Sequence, residues 1–218
     1  MSFFSLFHSL FFPLSCASCG KHGEALCQQC ALHLPFAETL NDRRSFALYN
    51  YHHPLIARAV RTLKYHRRRE LAEALLQHGA PRITEWLAEV LQSEAPERIV
   101  LVPIPQHQSK TRERGFSQSL LLARALKKAL EGAEVRILLR KYRSTVPQAR
   151  LKKRKERLAN LIGTMEVDKA LDPATLYLVI DDVITTGATV QEALRALGAG
   201  GAKRILAVAL AHGYAQRH

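Results

Sequence analysis

The chain has 218 residues, of which 47% are hydrophobic, and it carries a formal net charge of +13 at pH 7. This composition excludes a disordered chain, and the length allows one sizeable domain with a small appendage. The excess of Lys and Arg favours anionic partners such as nucleic acid, phosphorylated metabolites or anionic lipid, and charge alone does not choose among them. No apolar run reaches the ~20 residues of a membrane helix, so we expect no integral membrane span.

The first segment, MSFFSLFHSLFFPLSC, is apolar and rich in phenylalanine. It has no Lys or Arg ahead of its apolar stretch, and Pro13-Leu14-Ser15 makes a poor cleavage or lipidation sequence, which argues against a signal peptide. Two interpretations of this segment stay open. It either packs on the body of the protein or acts as a weak anchor at a membrane surface.

All cysteines of the chain lie in CASCGKHGEALCQQC, as two Cys-x-x-Cys pairs. Each pair can direct two thiolates at one centre, and four thiolates match the tetrahedral coordination of Zn²⁺. We therefore predict a structural zinc site in a small module over residues 1–40, with no open position for catalysis. Two disulfides, a redox pair or an iron–sulfur cluster are the alternatives. The predicted ligands are Cys16, Cys19, Cys27 and Cys30.

Residues 41–218 are predicted to form the second and larger domain. It begins with a strand, SFALYNYH, and a helix, LIARAVRTLKY, whose apolar residues recur at helical spacing. Arg58, Arg61 and Lys64 are predicted on the opposite, polar side of this helix. The next stretch, ELAEALLQHGAPRITEWLAEVLQSE, predicts a further helix with a break near Gly79-Ala80-Pro81.

The rest of the sequence alternates between strand and helix patterns. RIVLVPIP, VRILLR, LYLVIDD and RILAVALAH predict strands, whereas SQSLLLARALKKALE and ATVQEALRALGAGGA predict helices. Apolar, β-branched strands that alternate with helices predict an α/β fold with a mostly parallel sheet flanked by helices.

The segment VIDDVITTGAT joins the LYLVIDD strand to the ATVQEALRALGAGGA helix. Free N–H groups and the helix dipole favour an anion at such a junction, so we predict a phosphate cradle in Thr185, Thr186, Gly187, Ala188 and Thr189. Asp181 and Asp182 repel phosphate, and we expect them to accept hydrogen bonds from hydroxyls or to help hold a hydrated Mg²⁺. A ligand with a phosphate beside a vicinal diol, such as ribose 5-phosphate, fits both halves.

VIDDVITTGAT resembles the phosphoribosyl-pyrophosphate (PRPP) motif of type I phosphoribosyltransferases. The resemblance implies that Asp181 and Asp182 are the catalytic pair that contacts the ribose hydroxyls. It also implies that the turn from Thr185 to Thr189 holds the 5-phosphate and that Mg²⁺ accompanies PRPP.

A second segment, LVPIPQHQSKTRERGFSQ, resembles the VPVP…RERGFNQ signature of the ComF family, with Ser117 where that family usually has Asn. Two further stretches, YHHPLIARAVRTLKYHRRRELAEAL and LRKYRSTVPQARLKKRKERLANLIGTMEV, also resemble the family. The resemblance implies a four-cysteine zinc module joined to a type I phosphoribosyltransferase-like domain. It further implies a role in natural competence and transformation, or in the uptake and use of external DNA, by a protein that is cytoplasmic or peripheral at the inner membrane.

Two basic segments offer sites for anions. The phosphoribosyltransferase resemblance implies pyrophosphate binding by Lys110, Arg112 and Arg114, and a solvated basic loop is the alternative. The second segment has three open interpretations, which are a lid over PRPP, a nucleic-acid-binding surface and a solvated helix face. Its cations are Arg140, Lys141, Arg143, Lys152, Lys153, Arg154, Lys155 and Arg157.

Three functional hypotheses follow from these segments. The preferred one is a ComF-like protein that binds PRPP and acts in DNA uptake. The second is an active phosphoribosyltransferase on a nucleobase or nucleotide-derived acceptor in purine or pyrimidine salvage. The third is a non-catalytic factor that binds single-stranded DNA or docks a helicase-like competence protein. No set of residues predicts a nucleobase pocket, so the sequence favours PRPP binding over any particular acceptor.

Overall fold

The computed structural model describes residues 14–37, 43–66, 68–92, 96–106, 112, 115–141 and 163–213. The strands in these ranges are β1 (Ser45–Asn50), β2 (Ile99–Pro103), β3 (Glu134–Val135), β4 (Leu139–Lys141), β5 (Met165–Val167), β6 (Leu176–Ile184) and β7 (Arg204–His212). The helices are α1 (Gln28–Leu32), α2 (Pro54–His66), α3 (Arg69–Leu91), α4 (Gln118–Ala129) and α5 (Ala188–Ala199).

Five parallel strands form the main sheet in the order β1-β7-β6-β2-β3. The register places Leu178 of β6 opposite Leu101 of β2 on one side and Leu206 of β7 on the other. Strands β4 and β5 pair antiparallel in a separate ribbon. The predicted fold class is confirmed, because a mostly parallel sheet is flanked by helices and a cluster of four cysteines lies near the N-terminus.

The central strand β6 divides the interior into two cores. Leu176, Leu178 and Ile180 pack with residues of α2, α3 and α4 on one face. Tyr177 and Val179 pack with α5 and the β4–β5 ribbon on the other face. Both faces of the strand are therefore buried, which is why its first five residues are apolar without polar alternation. The two cores together fix where the carboxyl end of β6 emerges.

Helix α3 is continuous, so the predicted break near Gly79-Ala80-Pro81 is wrong. Pro81 removes one helical hydrogen bond, at a cost of about 3 kcal/mol. Buried residues on both sides of it, including Leu76 and Ile83, belong to the same core, and their burial outweighs that cost. Gly79 allows a close approach rather than a turn, since a Cβ there would lie 2.7 Å from Leu48 Cδ1.

The predicted VRILLR strand is divided between two sheets, which corrects the single strand expected from the sequence. Its first residue, Val135, ends β3 and pairs with β2, and the Arg136 N–H still donates to Leu101 O at 3.0 Å. The chain then leaves the main sheet with Ile137 exposed, and Leu139 begins β4. Two apolar stretches of one run thus pack in two different places.

Helix α4 begins one residue after Ser117, which departs from the usual family residue. The Ser117 hydroxyl caps the helix by accepting the Leu120 N–H at 3.3 Å. Ser and Asn are both strong N-cap residues, so this substitution preserves the helix start. None of the helices in the described ranges is long and apolar enough to cross a membrane.

A buried carboxylate fastens the β4–β5 ribbon to α5. Glu192, which is 3% exposed, accepts the Met165 N–H at 2.9 Å and the Arg195 Nε–H at 2.8 Å. Arg195 also donates to Met165 O at 2.9 Å. Burial alone would raise the pKa of Glu192, but hydrogen bonds from Arg195 and from the Met165 and Gly163 N–H groups outweigh it and lower that pKa.

We expect Glu192→Ala to lower the free energy of unfolding by about 2 kcal/mol, because it leaves the buried Met165 N–H without its acceptor. Glu192→Gln keeps an acceptor and should cost less. Because the pKa of Glu192 is lowered on folding, the difference between wild type and Glu192→Gln should be present near neutral pH. It should shrink as pH falls through that pKa. Urea unfolding at several pH values measures this, and equal losses in both variants would contradict the assignment.

Candidate functional site

The four cysteines converge on one point. Their Sγ atoms all lie within 4.8 Å of one another, and Cys19 Sγ is 3.7 Å from Cys27 Sγ. Four sulfurs at ~2.3 Å from a tetrahedral zinc would be about 3.8 Å apart, so the spacing fits a metal centre, and all four thiols are free of disulfides. Burial alone would raise the pKa of Cys16, but N–H groups of Cys27, Cys19 and Ser18 lower it to about 6. This favours the thiolate form of Cys16. In Cys30, the hydrogen bond with Ser18 lowers the pKa, but the contacts with Cys27 and the other cysteines together outweigh it and raise the pKa to about 12.

The cysteine cluster is joined to the main sheet by the chain that follows it. Ala37 N–H donates to Leu48 O at 2.8 Å, and Phe36 forms an antiparallel bridge with Tyr49 on the outer side of β1. The Phe36 ring stacks on Tyr49 and on His78, with centroid separations of 5.5 and 5.4 Å. The same aromatic contacts therefore hold the cluster against α3 and β1.

Strand β6 is longer than LYLVIDD predicts, and it carries both aspartates within its last residues. Asp181 is paired in register with Ala209 of β7. Each carboxylate also accepts the next N–H along the chain, Asp182 N–H to Asp181 Oδ1 at 2.8 Å and Val183 N–H to Asp182 Oδ1 at 2.9 Å. These local bonds fix the orientation of two half-buried carboxylates at the carboxyl edge of the sheet.

Lys64 reaches this pair from α2 and is the site residue that the sequence interpretation missed. It was predicted on the polar side of its helix, but its Nζ lies 3.1 Å from Asp182 Oδ2, and only 24% of the side chain is exposed. Lys64 follows the buried Val60 by one helical turn and the buried Leu63 by one residue. This position at the border of the apolar face is the signal that could have identified it.

The pKa of Asp181 is shifted by its surroundings. Burial raises the pKa of Asp181 well above its usual range, and the negative charge of Asp182 raises it further. The Asp182 N–H and the positive charge of Lys64 oppose this rise without cancelling it. Asp181 is therefore held in an environment that favours its neutral form, beside a carboxylate that has a cationic partner.

The predicted phosphate turn directly follows β6. Gly187 has φ +76° and ψ −2°, a left-handed conformation that favours glycine, and it caps the twelve-residue helix α5. The Ala188 N–H lies 3.4 Å from Thr186 Oγ1, and the Gln191 N–H donates to Gly187 O at 2.8 Å. Thr185 is exposed, and Thr186, Gly187 and Thr189 are half-buried. The turn thus lies at the positive end of a helix dipole, next to the aspartates.

Only some of the Lys and Arg residues predicted to bind anions lie in the described ranges. Arg112 is exposed, whereas Lys110 and Arg114 lie outside the described residues. Arg140 in β4 forms an exposed ion pair with Asp168 at 2.7 Å, and Lys141 ends that strand. The other predicted cations of the second basic segment also lie outside the described ranges, namely Arg143, Lys152, Lys153, Arg154, Lys155 and Arg157.

We expect Asp181→Asn to stabilise the folded protein near neutral pH. Because folding raises the pKa of Asp181, wild-type stability is present at low pH and declines as pH rises from about 4 through the folded pKa. The amide cannot ionise, so the variant should have a Tm about 3 °C higher at neutral pH, corresponding to roughly 1 kcal/mol, and no advantage below pH ~4.

The matched control is Asp172→Asn near the amino end of β6. Hydrogen bonds from the Ala174 N–H and the Thr175 hydroxyl lower the pKa of Asp172, so its ionised form is favoured on folding. This variant should lose stability at neutral pH. Thermal unfolding of both variants from pH 3 to 8 makes the comparison, and a loss of stability in Asp181→Asn would refute the assignment.

Comparisons with known proteins identify relatives by sequence. No protein-family model matches the chain. The chain is 31% identical to DNA utilization protein YhgH of Escherichia coli (strain K12), over 87% of this chain and 85% of the relative. The protein of the same name in Salmonella typhimurium (strain LT2) is 33% identical over the same shares. Competence protein F of Haemophilus influenzae is 32% identical over 49% of this chain and 48% of its own.

Solved structures of two phosphoribosyltransferases align with part of this chain. A hypoxanthine phosphoribosyltransferase from Staphylococcus aureus aligns with 64% of this chain and 64% of its own, at a TM-score of 0.40 and 13% identity. A purine phosphoribosyltransferase from Pyrococcus horikoshii Ot3 aligns with 64% of this chain and 83% of its own, at a TM-score of 0.32 and 20% identity. The sequence relatives that match most of the chain are sufficient for the assignment: this chain belongs to the ComF family, together with these DNA utilization and competence proteins.

Proposed function

We propose that this ComF-family protein binds PRPP at the carboxyl end of β6 and acts in the uptake and use of external DNA. The observation that carries the proposal is the arrangement of Asp181, Asp182 and the turn at Gly187 within one short stretch at the sheet edge. In open α/β sheets, ligands bind outside the carboxyl ends of the strands. Here that edge offers acceptors and donors side by side.

The turn supports the phosphate end of the ligand. The first N–H groups of a helix have no acceptors within that helix, and they add to the favourable potential of its dipole. Thr185 and Thr186 add hydroxyl donors, and Gly187 shapes the backbone with its left-handed conformation. A dianionic 5-phosphate fits this place, whereas the aspartates next to it repel phosphate and so define the direction in which the ligand lies.

The aspartates support the sugar end of the ligand. Carboxyl oxygens accept hydrogen bonds, and two vicinal hydroxyls supply the donors. Mg²⁺ prefers octahedral oxygen ligands and keeps several waters, so it suits the pyrophosphate of PRPP with water-mediated help from these carboxylates. The bound ion would neutralise the pyrophosphate, while Asp181 and Asp182 orient the ribose. Whether a nitrogen acceptor then displaces pyrophosphate is a separate, testable step.

The biological role is supported by the sequence relatives. Those relatives are named DNA utilization protein and Competence protein F. Because the similarity to the DNA utilization protein covers most of the chain, we assign the uptake and use of external DNA to this protein as well. Binding of single-stranded DNA has less support, because Arg140, one of the cations predicted for it, is paired with Asp168.

Calorimetric titration with PRPP and Mg²⁺ tests the ligand. We expect wild-type protein to bind and Asp181→Asn/Asp182→Asn to bind at least about tenfold more weakly, because hydrogen bonds to charged acceptors contribute about 1.5–3 kcal/mol. Asp172→Asn, which removes a carboxylate at the opposite end of β6, should bind like wild type. Separate titrations with ribose 5-phosphate and with pyrophosphate measure how much each part of PRPP contributes to binding. A folded wild type without measurable heat at high PRPP would reject the proposal.

We also propose that the four-cysteine cluster holds one structural zinc ion, which the Sγ spacing supports. Elemental analysis should find about one zinc per chain, and Cys16→Ser/Cys19→Ser should lose it. Because Phe36 connects the cluster to β1 and α3, chelation should lower the Tm of the whole protein rather than release a small separate transition. A metal-free protein with two disulfides in its mass spectrum would overturn this assignment.

A further inference from the structure

The proposed PRPP site does not account for the contact between Lys64 and Asp182. Lys64 belongs to α2, which packs in the core on one face of the sheet, and Asp182 lies near the end of β6. The two side chains are 24% and 17% exposed, so their ion pair at 3.1 Å is largely shielded from water. A shielded pair is coupled more strongly than a surface pair and defines the position of both charges.

The donors around the two carboxylates are unequally distributed. Asp182 accepts the Val183 N–H through Oδ1 and the Lys64 ammonium through Oδ2. Asp181 accepts the Asp182 N–H through Oδ1. Among the ion pairs in the described residues, Asp182 is paired with Lys64, and none includes Asp181. The pair of carboxylates therefore already has a cation of its own on one side.

We propose that Lys64 is a positioning residue that occupies the place of a divalent cation beside Asp182 and thereby reserves the carboxylate pair for sugar hydroxyls. The proposal rests on the proposed function, because it names how that same site selects its ligand. A hydroxyl needs only one remaining acceptor position on a carboxylate oxygen, and such an oxygen can accept from two donors. A directly bound Mg²⁺ or Mn²⁺ needs oxygens at about 2.1 Å, and the ammonium repels it.

The consequence is that the two cations of the site occupy different places. Mg²⁺ approaches with the pyrophosphate of the ligand, while Lys64 stays with Asp182 and keeps that carboxylate oriented. Removing the ammonium would leave two adjacent carboxylates without their cation, which is the arrangement that attracts a divalent metal ion. Lys64→Met should thus convert a hydroxyl-binding pair into a weak metal site.

The first test measures Mn²⁺ binding by electron paramagnetic resonance, on zinc-loaded protein without any sugar phosphate. We expect wild type and Lys64→Arg to leave the signal of free Mn²⁺ unchanged, and Lys64→Met to bind about one Mn²⁺ per chain. Arg61→Met is the matched control, because Arg61 is exposed on the same helix and its loss changes the net charge equally. Adding Asp182→Asn to Lys64→Met should abolish the gained site.

The second test titrates ribose 5-phosphate with and without Mg²⁺. Wild-type affinity should be independent of Mg²⁺, whereas Lys64→Met should bind about tenfold more weakly, because Asp182 loses the ammonium that orients its carboxylate. Added Mg²⁺ should weaken that variant further, because the metal ion competes with the hydroxyls. Lys64→Arg should recover most of the affinity, and a merely structural role for Lys64 would not produce the competition by Mg²⁺.

The two tests separate the failure of this inference from that of the proposed function. Equal Mn²⁺ binding by wild type, Arg61→Met and Lys64→Met would overturn the role of Lys64, whatever the sugar phosphate does. Absence of binding of ribose 5-phosphate and of PRPP by folded wild type would instead reject the proposed function. The Mn²⁺ experiment would then still decide whether Lys64 excludes a metal ion from the pair.

Discussion

The mutual repulsion of two adjacent carboxylates at the end of a buried strand is the constraint around which this molecule is arranged. Asp181 and Asp182 are half-buried, where water screens their charges poorly. The fold reduces this repulsion, because each carboxylate accepts a backbone N–H and one of them also contacts an ammonium group. What remains is an acceptor-rich edge beside the donor-rich start of α5. The side-by-side placement of acceptors and donors defines which end of a ligand binds at each place.

The same packing that stabilises the sheet also assembles the site. The apolar face of α2 belongs to the core with Leu178, and this burial carries Lys64 to the sheet edge. The apolar face of α5 belongs to the core with Val179, and its burial holds the turn at Gly187 against the strand end. A mutation in either core is therefore expected to shift one half of the site relative to the other.

Periodicity and spacing predicted much of this arrangement. The two Cys-x-x-Cys pairs, the LYLVIDD strand and the turn at Gly187 are local patterns whose geometry follows from nearby residues. The missed features depend on distant ones. Helix α3 continues through Pro81 because one core holds both of its halves, and VRILLR divides because two cores compete for it. Lys64 lies at the border of the apolar face of its helix, but Asp182 is distant in the sequence, so their contact appears only in the fold.

The β4–β5 ribbon has a consequence for the segment between its two strands. Lys141 and Met165 face each other in one rung of the ribbon, so the intervening segment leaves and returns at a single place. Glu192 and Arg195 hold that rung from α5. Because Glu192 holds Met165, and Met165 pairs with Lys141, one side chain of α5 fixes both ends of the segment between those two residues.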